Sequence, residues 1–305
     1  MLPPVLPTPA DIDSDYRSTD YVGRFAPSPT GPLHEGSLLC ALASYLDAKA
    51  HKGQWLLRIE DLDPPREVPG ADRLIMESLQ AHGLLWDGDV LFQSDRLHAY
   101  QQALDTLQQR ALVYRCICRR ADLAVTGGAY PGHCRDSNND ECTPHALRLK
   151  VGNFDVTFTD GIQGCINERL CDSCGDFIIR RKDTLFSYQL AVSVDDGAQN
   201  ISHVVRGIDL MESTGRQIYL LQSLGYTPPA YTHIPVLVDM NGDKLSKQTG
   251  ASAIDNSQAL KNLMTALQRL QQPQPPVSEQ GSVQSILQYA AHHWSLPSRA
   301  AFIKL

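Results

Sequence analysis

The strongest constraint on this chain is a strand, a proline-rich loop, a helix and a second strand in immediate succession between Tyr21 and Ile59. Tyr21-Val22-Gly23-Arg24-Phe25 reads as a short strand. Gly36 to Ala50 reads as a helix with Leu38, Leu42, Tyr45 and Leu46 on one face. Trp55-Leu56-Leu57-Arg58-Ile59 reads as the next strand. A strand–helix–strand run of this kind favours a parallel sheet covered by helices. In such a sheet ligands bind beyond the carboxyl ends of the strands, so the loops that follow strands are the places to look for chemistry.

The alternation continues with two amphipathic helices, the second carrying Leu97, Tyr100, Leu104, Leu107 and Ala111 at three- and four-residue steps. It breaks near Tyr114, where a Cys-, Gly- and Asn-rich stretch runs to Lys182 with short β-like pieces at His145–Leu149 and Phe154–Phe158. It resumes with a strand at Ile201–Val205, a helix at Ser213–Leu224 closed by Gly225, and an apolar strand at Ile234–Val238. Leu260, Leu263, Met264, Leu267 and Leu270 mark a later helix, and Pro273, Pro275 and Pro276 break it before a last helix pair. The expected partition is a lead-in at 1–20, a catalytic α/β domain in two halves at 21–113 and 184–250, an insert at 114–183, and a helical region at 251–305.

Of the 305 residues, 42% are hydrophobic and 20% charged, which is the balance of an ordinary globular chain. No run is long enough to span a bilayer. Met1 to Asp20 lacks the basic start and apolar stretch of a secretory signal, so a cytoplasmic setting is expected. The net charge of −7 argues against a general nucleic-acid binder and leaves local basic faces as the candidates. Two clusters qualify: Arg110, Arg115, Arg119 and Arg120, and Arg180, Arg181 and Lys182. A solvated surface is the commoner reading of such clusters. In a reducing compartment the eight cysteines read as metal ligands, buried small residues or catalysts rather than disulfides. Cys40, alone on an apolar helix, reads as core. Cys116, Cys118 and Cys134 cluster in the insert, with Tyr130 and His133 as rival fourth donors for a tetrahedral metal. Cys171 and Cys174, with Cys142 or Cys165, form a second set on paper.

The first loop runs Arg24-Phe25-Ala26-Pro27-Ser28-Pro29-Thr30-Gly31-Pro32-Leu33-His34-Glu35-Gly36-Ser37. Its prolines stiffen it, and it delivers the chain to a helix start, where free N–H groups favour phosphate. Neither the dinucleotide nor the P-loop glycine pattern is present. A later loop, Asp239 to Gln248, carries Lys244 and Lys247 around Ser246, beside Asn241-Gly242. Mobile lysines can follow charge onto a leaving pyrophosphate.

Each loop alone is a weak signal, and together they resemble the two signatures of class I aminoacyl-tRNA synthetases. Arg24 to His34, Arg58-Ile59-Glu60-Asp61-Leu62-Asp63 and His203-Val204-Val205-Arg206-Gly207 look like blocks of the glutamate subgroup. The resemblance covers Tyr21 to Gln248. It implies a Rossmann-type parallel sheet with an inserted zinc-binding subdomain and a short helical C-terminal region. Fewer than sixty residues follow Gln248, and this short plan resembles the glutamyl-Q tRNA(Asp) synthetase family. The resemblance places Arg24, Phe25, Ala26, Pro27, Ser28, Glu60, Tyr188 and Arg206 in a glutamate pocket. It assigns His34, Gly36, Ser37 and Lys247 to ATP, with His34, Gly36, Lys244 and Lys247 catalytic. It implies one structural Zn²⁺ on Cys116, Cys118, Tyr130 and Cys134, and Mg²⁺ accompanying ATP. The implied acceptor is the queuosine-bearing anticodon loop of tRNA(Asp), served by a monomer. The alternatives are a glutamyl-tRNA synthetase without its anticodon domain and a non-catalytic paralogue. Glu35, at a position often apolar in the wider class, and Thr249-Gly250 after the lysine block depart from the pattern.

Overall fold

β1 (Val22–Phe25), α1 (Glu35–Ala50) and β2 (Gln54–Ile59) lie in a computed structural model of the chain that describes residues 21–119, 129–137, 139–237 and 252–297. β1 pairs with β2 in parallel, Phe25 opposite Leu57, and β2 pairs with β3 (Leu91–Phe92). α2 (Ala71–Ala81) precedes β3 and α3 (Leu97–Gln109) follows it. The stretch expected as an insert supplies β4 (Val113–Cys116), β5 (Ala146–Leu149), β6 (Asp155–Asp160), β7 (Gly164–Arg169), the one-turn α4 (Leu170–Ser173) and β8 (Phe177–Arg180). β4, β5 and β8 form a small antiparallel sheet. The chain then returns through α5 (Tyr188–Ala198), β9 (His203–Gly207), α6 (Met211–Leu224) and β10 (Ala230–Ile234), and the described C-terminal helices are α7 (Ala259–Arg269) and α8 (Val283–His292).

β9 and β10 pair in parallel, and β10 continues through β6 to β7. β9 stands beside β1. The Ser202 N–H donates to the Val22 carbonyl at 3.0 Å, and the Val22 N–H donates to Ser202 Oγ at 2.8 Å. The parallel strands therefore run β3, β2, β1, β9, β10 across the molecule. The connection reverses direction between β1 and β9, and a reversal of this kind opens a crevice at the carboxyl ends of the two strands. The expected parallel α/β sheet is present.

α1 is buried along Leu38, Leu42 and Leu46, and α7 and α8 cover it with Leu263, Leu267 and Ile286. Each such side chain removed from water contributes roughly 1.5–3 kcal/mol before chain entropy is subtracted. A second cluster packs α3, α5 and α6 around Leu104, Leu190, Val194 and Leu220. Gly225 closes α6 at φ 89°, the left-handed turn that a helix-ending glycine supplies without strain.

The apolar strand expected at Ile234–Val238 is observed at Ala230–Ile234, and Val238 lies outside the described residues. Pro235 has no N–H to give a central strand, and Val236 and Leu237 line a cavity instead. Beyond the prolines the described residues hold a 3₁₀ turn at Val277–Glu279 and the α-helix Val283–His292, and the end of the region expected to carry a helix pair, 298–305, lies outside the described residues. Cys40 is half-buried: it packs against the core and also lines the same cavity.

Candidate active site

The β1 and β9 ends meet over a cavity of about 470 Å³, a size ordinary for a small-molecule site. The structure brings eleven of the expected residues to its wall: Arg24, Phe25, Ala26, Pro27, Ser28, His34, Gly36, Ser37, Glu60, Tyr188 and Arg206. Lys244 and Lys247 lie outside the described residues. On either side of that segment, Leu237 lines the cavity, and Ala253 forms a bridge with His34 while the Ile254 N–H donates to the Leu33 carbonyl at 3.0 Å.

One wall is highly charged and dry. Arg24 and Arg206 are each 4% exposed and Arg58 is fully buried. Asp196, next to the buried Asp195 near the end of α5, accepts from Arg24 Nε at 3.3 Å and from Arg58 Nη2 at 2.7 Å. Glu60 leaves the end of β2 with its N–H on the Pro27 carbonyl, and its Oε1 lies 3.8 Å from Arg58 Nε. Burial pushes the Glu60 carboxyl up to about 7, against the pull of Arg58 and Arg24. Arg206 differs from the other two guanidiniums. Its hydrogen bonds run to His233 Nε2 at 3.0 Å, Gln217 Oε1 at 2.7 Å, Thr214 Oγ1 at 2.8 Å and the Leu210 carbonyl at 3.3 Å. All four partners are neutral, and no carboxylate among the described residues pairs with it. A buried cation held this way is a site for an anion from outside, in the fork geometry that suits a carboxylate.

The opposite wall is the start of α1. His34 is its N-cap, and His34 Nδ1 accepts the Ser37 N–H at 3.3 Å. An imidazole accepting at Nδ1 carries its proton at Nε2, which makes that nitrogen a donor suited to phosphate oxygens. The helix start adds its own N–H groups and dipole on the same wall. Glu35, the unusual residue of this block, pairs with Arg269 of α7 at 2.6 Å and ties the C-terminal region to the lip of the site.

The insert holds a separate cluster. The sulfurs of Cys116, Cys118 and Cys134 lie within 4.8 Å of one another, with Cys118 and Cys134 3.5 Å apart. Two thiolates about 2.3 Å from one tetrahedral ion lie about 3.8 Å apart, so the spacing fits a metal such as zinc. The Tyr130 hydroxyl sits among them, 3.4 Å from Cys116 Sγ and 3.6 Å from Cys118 Sγ, and accepts the Cys134 N–H at 3.1 Å. His133 is exposed and outside this group. Gly175, at φ 62°, bridges to Tyr130 so closely that a Cβ there would strike the Tyr130 backbone. The second cysteine set does not assemble among the described residues. Cys171 turns to Asp172, Cys174 to the Leu170 carbonyl, and Cys142 and Cys165 are exposed.

Residues 21–269 match the family model of the class I tRNA synthetases (E and Q), catalytic domain. A glutamyl-Q tRNA(Asp) synthetase of Dechloromonas aromatica is 47% identical over 286 residues, which are 91% of this chain and 95% of that protein. One from Escherichia coli O6:H1 is 47% identical over 298 residues, 97% of this chain and 94% of that one. The chain belongs to the glutamyl-Q tRNA(Asp) synthetase family. Among solved structures, a glutamate-tRNA synthetase from Elizabethkingia anophelis superposes with a TM-score of 0.75 at 23% identity, over 91% of this chain and 66% of that one. That likeness shows the class I synthetase fold, and this chain spans about two thirds of that structure's length. In the family context both basic clusters prove largely engaged. Arg110 donates to the Ser223 carbonyl at 2.6 Å, Arg115 pairs with Glu141, Arg181 reaches Asp63 and Asp183, and Lys182 donates to the Ile117 carbonyl at 2.6 Å. Arg120 lies outside the described residues. No described helix is long and apolar enough to cross a membrane.

Proposed function

We propose that the chain activates L-glutamate with ATP, without RNA, and transfers the glutamyl group to the cyclopentene-diol of queuosine at the anticodon wobble position of tRNA(Asp). The observation that carries the amino-acid choice is the buried Arg206 with neutral partners. The charge balance agrees with it. Arg24 and Arg58 pair with Asp196, and Arg58 lies beside Glu60, whereas Arg206 has only neutral hydrogen-bond partners; its positive charge is the one in excess, and L-glutamate carries one net negative charge. Glutamine is neutral and leaves that excess buried. Aspartate has the charge and lacks the reach by one methylene.

Glu60 and Tyr188 hold the substrate ammonium and Arg206 its γ-carboxylate, while Arg24 to Ser28 shape the wall. The α-carboxylate then attacks the α-phosphate of ATP in line, and pyrophosphate leaves. His34 Nε2 and the N–H groups at Gly36 and Ser37 hold phosphate oxygens, and Lys244 and Lys247 follow the charge onto the leaving group. Mg²⁺ bound with ATP supplies further charge neutralisation on the phosphates. In the second step the acceptor hydroxyl attacks the activated carbonyl and AMP departs. Zinc on Cys116, Cys118, Tyr130 and Cys134 is a closed structural site. The catalytic halves at 21–113 and 184–250, the insert at 114–183 and the helical region at 251–305 are kept as the working partition. The enzyme acts as a monomer, and ATP and tRNA as reactants put it in the cytoplasm. The relatives' names favour this acceptor over the 3′ end of tRNA(Glu).

Glutamate-dependent exchange of labelled pyrophosphate into ATP in the absence of RNA is the expected result, with aspartate and glutamine far slower. Absence of exchange overturns RNA-independent activation, and label on tRNA(Glu) or on tRNA(Asp) without queuosine overturns the acceptor.

The raised Glu60 gives a second expected result. Only ionised Glu60 holds an ammonium, and in the empty pocket it ionises near pH 7 because burial favours the neutral acid. The glutamate KM is therefore flat above about pH 7 and rises about tenfold per unit below it. Stability has the opposite sign. Between the ordinary 4.5 and about 7 the folded chain keeps a proton that the unfolded chain releases, so this group favours unfolding as pH rises through that window. Glu60→Gln removes the pH dependence and fixes the KM high, and a KM profile that survives Glu60→Gln unchanged refutes the assignment.

A further inference from the structure

Arg206 is held from behind by a buried hydrogen-bonded chain whose inner members, His233 and Asp160, do not line the cavity. Arg206 Nε donates to His233 Nε2 at 3.0 Å, and His233 Nδ1 lies 2.6 Å from Asp160 Oδ2. Both inner residues are almost or fully inaccessible, at 0% for His233 and 2% for Asp160. The chain crosses three neighbouring strands, β9, β10 and β6, so it links the cavity wall to the hairpin at the far side of the sheet.

The donors fix the proton positions. An arginine Nε can only donate, so His233 Nε2 must accept and its proton sits on Nδ1, facing the Asp160 carboxylate. The other carboxylate oxygen, Asp160 Oδ1, accepts backbone N–H groups from Ile162 at 3.0 Å, Gln163 at 2.9 Å and His233 at 3.3 Å. Burial also pushes the imidazole below its ordinary range, against the pull of Asp160, which keeps the ring neutral.

We propose that Asp160 and His233 are positioning residues for glutamate recognition: Asp160 fixes the His233 tautomer, and His233 in turn aims the Arg206 fork at the substrate carboxylate. The inference rests on the reading that Arg206 holds the γ-carboxylate. Placing a neutral imidazole between the anion and the cation has a definite consequence. A carboxylate directly on Arg206 would neutralise it, as Asp196 does for Arg24 and Arg58. One residue removed, Asp160 orients the guanidinium and leaves its charge for the substrate.

Asp160→Asn is the sharpest probe. The three backbone donors require an oxygen at the Oδ1 place, so the new amide nitrogen faces His233 Nδ1 and drives the ring proton to Nε2. That sets an N–H against the Arg206 N–H. In glutamate-dependent pyrophosphate exchange the glutamate KM is expected to rise about tenfold or more, with the ATP KM and the melting temperature nearly unchanged. His233→Leu gives the same split. His233→Gln restores most of the affinity, because its amide oxygen can accept where Nε2 did. Arg206→Ala separates the two ideas. If it leaves the glutamate KM unchanged, the pocket reading falls and the relay with it. If it raises the KM while Asp160→Asn and His233→Leu do not, the relay alone falls. A rise in ATP KM in step with glutamate KM also overturns the relay, since general damage to the fold would do that. Should Asp160→Asn fail to fold, the comparison of His233→Gln with His233→Leu decides by the same criterion.

Discussion

Replacing Arg206 by alanine is expected to lower kcat/KM for glutamate by about 10²- to 10³-fold. Removing one partner of a buried, hydrogen-bonded charge pair costs about 2–5 kcal/mol, and each 1.4 kcal/mol is a factor of ten. The middle of that range, about 2.8–4.2 kcal/mol, applies here because the guanidinium is 4% exposed and the other arginine on the cavity wall, Arg24, is already paired with Asp196. The loss should appear chiefly in the glutamate KM. Arg206 sits at the β9 end of the cavity with Gln217 and Thr214, whereas the phosphate-binding features belong to the start of α1. The preference for glutamate over glutamine should collapse with it, since the excess positive charge is gone. Lysine should rescue little. A point charge can replace the sign but not the fork that Thr214, Gln217 and His233 are placed to hold. Steady-state exchange kinetics with both amino acids measure all of this. A glutamate KM within about twofold of wild type would refute the assignment.

The difference between Arg206 and its two neighbours was invisible in the sequence. All three arginines are readable as candidates for a carboxylate from the blocks that contain them. Which of them is already neutralised depends on Asp196, and that residue lies in a helix the sequence reading left undrawn. The run Leu190-Ala191-Val192-Ser193-Val194-Asp195-Asp196 did contain a clue, for two acids inside an apolar stretch are expensive to bury without cations. Asp195 meets Gln93, Arg96 and Tyr100, and Asp196 meets Arg24 and Arg58. His233 and Asp160 left even less trace, since each stands among other polar residues of its strand and their pairing is a long-range event.

What the sequence did make legible is local. β1, α1 and β2 came within a residue or two of their observed ends because apolar spacing and a proline-rich loop dictate them. The Ile234–Val238 error has the same origin. Apolar residues were taken for a strand when Pro235 ends one, and Val236 and Leu237 are apolar because they line the cavity. The contribution of β6 and β7 to the main sheet was beyond local reading. β10 and β6 share a single register pair, Tyr231 with Asp160, seventy-one positions apart along the chain.

Substituting Cys134 by serine is expected to remove stoichiometric zinc and loosen the insert while leaving amino-acid activation largely intact. The proposed metal would join the end of β4 to the segment around Cys134. Cys116 ends β4, and Cys134 lies on a stretch without strands or long helices. Its neighbour Arg135 makes a two-pronged pair with Asp176 at 2.9 and 2.7 Å, and Asp176 also accepts from the Tyr114 hydroxyl at 2.7 Å and the Val151 N–H at 2.9 Å. Tyr130 also bridges to Gly175, and Asn139 Nδ2 donates to the Arg115 carbonyl at 3.0 Å, so the proposed metal would add to several contacts that already hold the stretch. Structural zinc sites in small folds contribute an apparent 10–16 kcal/mol or so at neutral pH, far more than any single hydrogen bond of the Asp176 hub. Losing one of three thiolates is expected to loosen the stretch, and amino-acid activation is expected to persist because none of these residues lines the candidate cavity. Protease cleavage near 129–137 should accelerate, and RNA transfer should fall more than pyrophosphate exchange. Tyr130→Phe should weaken the metal and His133→Ala should not, since only the Tyr130 hydroxyl lies among the sulfurs. Elemental analysis decides: one zinc per chain persisting in Cys134→Ser would remove Cys134 from the ligand set.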